Sequence, residues 1–134
     1  MTQAIECQAC FCPIDTDQHR RKCTTVWMGQ YSKFPLEDFD NAMTFGLRGC
    51  SAAVFVSGGF VHFMHDPIAE SVFQYIRSNY DAESGNKILL RVPADAYKWK
   101  EPKDKLWGDL EHLPVELSPY SMSYIMAIST IHRF

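Results

Sequence analysis

The sequence predicts an α+β fold, a single domain with a largely antiparallel β-sheet or sandwich core and flanking helices. Three observations carry that expectation. The chain has 134 residues, a length suited to one hydrophobic core. Short β-branched and aromatic runs recur along it, two of them flanking the glycine pair Gly58-Gly59. After Asp66, the apolar residues Ile68, Val72 and Ile76 are spaced by four, the period of one helix face.

Taken in order, residues 1–22 are rich in Cys, Asp, Gln and Arg without a hydrophobic period, and read as a Cys-rich N-terminal arm ahead of a domain spanning residues 23–134. Residues 22–28 carry Thr24-Thr25-Val26 and Trp27 and predict a strand ending near Gly29. Pro35 opens a predicted helical stretch over residues 35–43, with acidic residues in its first turn, where the helix dipole favours them. Residues 50–56 and 60–66 form the two arms of a predicted hairpin about the glycine pair. Asp66 then caps a helix that starts at Pro67 and runs to about Asn79. Residues 87–92 and 121–131 read as later strands, with Met122, Tyr124, Met126 and Ile128 alternating as core positions.

Composition excludes several function classes. With 46% hydrophobic and 22% charged residues, the chain has the means to build a core. Its net charge of -3 lacks the global basic footprint of a nucleic-acid binder. Lys98, Lys100, Lys103 and Lys105 interleave with Tyr97, Trp99 and Trp107, but Glu101, Asp104 and Asp109 dilute the patch, which reads as a solvated connection. No run is apolar over the roughly 18 to 20 residues needed to span a bilayer. The first residues lack a basic segment followed by an apolar one, so no classical signal peptide and a cytoplasmic setting are expected.

Five cysteines are an odd number, and four of them fall within the first 23 residues, which does not read as a disulfide framework. Cys7, Cys10, His19 and Cys23, with Cys12 beside them, supply thiolates and an imidazole that could make a Cys3His zinc site. A non-catalytic protein-binding module stapled in this way is the alternative to an enzyme.

The hairpin carries the enzymatic reading. If Gly58 and Gly59 are the two loop residues, Ser57 faces Phe60, Phe55 faces His62 and Ala52 faces His65. Cys50 then shares a sheet face with His65 across a diagonal of about 8 Å between Cα atoms, whereas His62 falls on the opposite face. A thiol needs a nearby base to become the thiolate that attacks a carbonyl carbon. Gly49 lets a substrate approach the backbone closely, and the amides of Cys50 and Ser51 could face a developing oxyanion.

Leu47-Arg48-Gly49-Cys50, followed by a small-residue apolar strand, a glycine turn and an apolar strand ending in His65, resembles the catalytic hairpin of the glutamine-deamidating toxin superfamily. That group includes the catalytic domains of the cytotoxic necrotizing factors, Burkholderia lethal factor and the CheD-like chemotaxis deamidases. Arg48 stands where the family tetrapeptide has serine. The resemblance covers roughly residues 44–66 and implies a β-sandwich-like core in which Cys50 is the nucleophile and His65 its partner. His62 is the alternative base, and Thr44 supplies an assisting hydroxyl. It further implies hydrolysis of a glutamine side-chain amide on a target protein, without metal or cofactor, in the cytoplasm or after export to a host cytosol.

Overall fold

The computed structural model describes residues 5–6, 23–39, 41–94, 110, 112–121 and 124–129. Its elements in chain order are β1 (Ile5–Glu6), β2 (Cys23–Thr25), β3 (Tyr31–Pro35), β4 (Asn41–Leu47), β5 (Ser51–Ser57), β6 (Phe60–Asp66), α1 (Ala69–Asn79), β7 (Ile88–Pro93), β8 (Val115–Tyr120) and β9 (Tyr124–Ser129). The strands form two sheets, one in the order β1-β9-β4-β2 and the other in the order β3-β6-β5-β7-β8. The architecture is α+β with largely antiparallel pairing; the exceptions are β2 beside β4 and β7 beside β8, which run parallel.

The hairpin fixes the larger sheet. Gly58 and Gly59 both have positive φ, 61° and 81°, as a tight two-residue turn requires. The register that follows pairs Ser57 with Phe60, Phe55 with His62 and Ala52 with His65, as the sequence predicts. Strand β5 is buried along its whole length because both of its faces are covered, which explains why Ala52-Ala53-Val54-Phe55-Val56 lacks a polar alternation.

On one face of the larger sheet, Ala52, Val54, Val56, Val61, Phe63 and Leu89 pack with Ala42, Met126 and Ile128 of the smaller sheet. On the other, Ala53, Phe55, Met64 and Leu90 meet Val72, Phe73 and Ile76 of α1. The layers are therefore sheet, sheet and helix, each interface closing a separate apolar core.

Three sequence expectations are corrected. Residues 35–43 do not form a helix: Leu36–Asp38 makes a single 3-10 turn, and β4 begins at Asn41. Ala42 and Thr44 alternate into the interior while β9 and β2 flank the strand, and that pairing outweighs an acidic first-turn preference worth only about 0.3–1 kcal/mol. Helix α1 starts at Ala69 rather than Pro67, with the Asp66 carboxylate accepting the Ile68 N–H at 2.7 Å just ahead of it. Ile68 is consequently outside the buried face and exposed, and Ala69 and Phe73 join Val72 and Ile76 instead. Finally, the strand predicted over residues 121–131 is β9, which starts at Tyr124 rather than Ser121, and a strand absent from the sequence reading, β8, precedes it.

Cys7, Cys10, Cys12 and His19 of the candidate zinc cluster, the Lys98 to Lys105 region with its aromatics, and Met122 lie outside the described residues. No helix among the described residues is long and apolar enough to cross a membrane.

Candidate active site

The site lies at one end of the inter-sheet core and is assembled from both sheets. In β6, His65 shares the inward face with Phe63 and Val61; opposite it in β5 stands Ala52, whose single methyl leaves the imidazole room. Cys50 is inward-facing and buried just before β5, two residues from Ala52 on the same face. From the smaller sheet, Thr44 of β4 reaches across the core, and its Oγ1 shares a hydrogen bond of 2.7 Å with His65 Nδ1. The side chains of Thr44 and His65 are both completely or almost completely buried. Thr44 and His65 are thus in direct contact, and Cys50 stands on the same inward face, two residues from the Ala52 that pairs with His65.

The hydrogen bond at Nδ1 leaves Nε2 as the other functional nitrogen of His65. Nε2 is buried and has no hydrogen-bond partner. The Cys50 thiol is instead directed at Met28, with Sγ donating to Sδ at 3.7 Å. Cys50 is a free thiol. Burial pushes its pKa up, and the negative charge of Asp66 adds to the rise; a hydrogen bond from the Arg48 backbone N–H acts in the opposite direction. Burial pushes His65 below the ordinary histidine range, against a smaller upward pull from Asp66. Both shifts favour a neutral thiol beside a neutral imidazole over a preformed ion pair.

The backbone leading into the thiol is held by a residue that the sequence reading missed. Gly49 adopts φ 104°, a left-handed conformation that side chains rarely tolerate, and open space surrounds its Cα. Its N–H donates to the Tyr120 hydroxyl at 3.0 Å, and that hydroxyl donates in turn to the Cys50 carbonyl. Tyr120 therefore clamps the Gly49-Cys50 peptide from the end of β8. The Gly49 N–H is committed to this clamp and does not serve as an oxyanion donor. Ser51 is the first residue of β5 and pairs with Asp66. Its hydroxyl is buried without a hydrogen-bond partner. Nothing in the local sequence marks Tyr120, since the contact spans 70 positions.

His62 is on the other side of the sheet. Its ring stacks on Phe55 with centroids 4.7 Å apart and planes 9° apart, and its Nδ1 shares a hydrogen bond of 2.8 Å with the Tyr75 hydroxyl of α1. Nε2 lies 3.4 Å from the Ser57 carbonyl. The alternative base is thereby corrected: the strand parity that turns His65 inward turns His62 into the helix-facing core, with the sheet between it and Cys50.

A short connection seals the edge of the site. Residues 27–30 carry the chain from the smaller sheet to the larger one, with the Gln30 N–H bonded to the Trp27 carbonyl at 3.0 Å. The Gly29 N–H donates to the His65 carbonyl at 2.6 Å and the His65 N–H to the Gln30 carbonyl at 3.1 Å. Trp27 packs edge-on against Phe45, both exposed on the outer side. Among the described residues, no three His, Cys, Asp or Glu side chains are grouped to hold a metal ion.

A thiol, an imidazole with one nitrogen fixed and the other open, and a buttressing hydroxyl are the parts of a nucleophile and base pair. Comparison of the chain with protein-family models, with curated proteins and with solved structures gave no significant match.

Proposed function

We propose that this chain is a cysteine-dependent amidohydrolase that deamidates a glutamine side chain of a target protein, in its own cytosol or that of a host. The observation that carries the reading is the hydrogen bond between Thr44 and His65, which leaves Nε2 open on the sheet face that Cys50 shares. The class of substrate follows from the resemblance of the 47–50 tetrapeptide and hairpin to glutamine deamidases.

With Nδ1–H donated to Thr44 Oγ1, the lone pair of His65 sits at Nε2, the tautomer a general base needs. Cys50 Sγ turns from Met28 toward Nε2, gives up its proton and bonds to the γ-carboxamide carbon. The backbone amide of Cys50 is the candidate donor for the resulting oxyanion, because the Ser51 N–H is taken up in the strand ladder with Asp66. His65 passes the proton to the departing nitrogen, which leaves as ammonia, and a thioester remains. Water adds to that carbonyl as His65 accepts a proton; the carbon–sulfur bond breaks, glutamate is released, and the proton returns to sulfur. Burial disfavours the charged form of both groups, so proton transfer accompanies attack instead of preceding it.

The test is ammonia release and intact-mass analysis of candidate target proteins, where amide hydrolysis leaves a gain of about one dalton. Replacing Cys50 by Ser should abolish both signals and the trapped thioester. Persistence of either in Cys50→Ser rejects the assignment, and one zinc per chain together with an inert Cys50 would turn the reading toward a binding module.

A further inference from the structure

Met28 is 62% exposed, yet its sulfur lies 3.7 Å from the thiol of Cys50, which is only 7% exposed. An apolar side chain so open to water gains little from its own burial, so lifting it away costs little hydrophobic free energy. The backbone beneath it is fixed at three points. The Gln30 N–H bonds the Trp27 carbonyl, the Gln30 side-chain oxygen accepts the Trp27 N–H at 2.8 Å, and the Gly29 N–H bonds the His65 carbonyl. Movement is thereby confined to the Met28 side chain, unbranched and with three rotatable bonds.

The thiol has a single proton and two possible directions. One is Met28 Sδ, which it takes. The other is His65 Nε2, buried and without a partner. An orphaned nitrogen in a dry site is costly, which favours any thiol rotamer that turns its proton toward that nitrogen. The contact with Met28 and the engagement of His65 are mutually exclusive for one S–H.

We infer that Met28 is a side-chain gate: it covers the Cys50 thiol, holds it in a resting orientation away from His65, and opens without movement of the backbone. This regulation gains its purpose from the reading of Cys50 as the reacting group. Its test requires no amide substrate, so the gate and the deamidase assignment fail separately.

The experiment is the rate of iodoacetamide alkylation at Cys50 in the full chain, followed by peptide mass spectrometry so that the other cysteines do not confuse the signal. If the open state is the minor one, at roughly a tenth of molecules or less, Met28→Ala should accelerate alkylation of Cys50 about tenfold. Met28→Leu keeps the bulk and should remain close to the wild-type rate. An unchanged rate in Met28→Ala, or equal acceleration in both variants, overturns the gate. A second measurement needs no variant. Gate opening exposes little surface, so the wild-type rate should be flat at low urea concentrations, and a rate that climbs steeply with urea would show access by local unfolding and reject the gate.

Discussion

Thr44 and His65 belong to different sheets, and the hydrogen bond of 2.7 Å between them crosses the interior of the sandwich. It couples closure of the core to the tautomer of the proposed base. Thr44→Val keeps the shape but leaves Nδ1 buried without its partner, at a cost of about 1–3 kcal/mol. Deamidation should also lose a large part of the roughly 10²–10⁴-fold that a positioned base contributes. Thr44→Ser should restore both, as read by urea unfolding and ammonia release; full activity in Thr44→Val would separate the hydroxyl from the chemistry.

Tyr120 should matter for the same turn through a different route. Tyr120→Phe removes the acceptor for the Gly49 N–H and the donor to the Cys50 carbonyl. A loss of about 1–3 kcal/mol in stability is expected. The alkylation rate of Cys50 should change with it because the peptide that aims the thiol is released. A variant with normal stability and unaltered Cys50 reactivity would show the clamp to be without effect.

His62 gives the complementary control. His62→Gln disturbs the contact with Tyr75 and the stack on Phe55, so the helix-facing core should weaken. Since the sheet separates that core from Cys50, thiol reactivity should remain within about twofold of wild type, as expected for independent sites. A collapse of Cys50 reactivity in a folded His62→Gln protein would contradict the placement.

The pH dependence of stability has a definite sign. Burial holds both His62 and His65 below the ordinary histidine range in the folded protein. Unfolded chains take up these protons near about pH 6.5. The unfolded state therefore binds more protons below that value, and stability present above it is lost as pH falls toward the folded pKa values. Urea midpoints measured between about pH 7.5 and pH 5 should decline on acidification, with a shallower slope in His62→Gln. A midpoint that rises on acidification would mean that the imidazoles are charged in the folded state.

What could be read in advance depended on how local the determinants were. The register of β5 and β6 was legible because Gly58-Gly59 leaves one tight turn, and strand parity then separates His65 from His62. The 35–43 stretch misled because its acidic run imitates a helix start, while the partners that make β4 a strand lie at β2 and β9. The parallel pairings and the Tyr120 clamp join residues far apart in sequence and leave no local trace. Met28 was likewise invisible, because its role depends on a chain crossing from one sheet to the other.

The two-residue turn imposes an arithmetic on the chain between thiol and imidazole. Side chains alternate with a period of two, so adding or deleting one residue in β6 between Gly59 and His65, with the turn retained, would carry the imidazole through the sheet into the helix-facing core. Adding or removing two would restore its side but displace it along the strand by about 7 Å, beyond the grasp of Thr44. Variation in length here is thus tolerated only outside the hairpin, and the spacing of the pair acts as a ruler set by a glycine doublet.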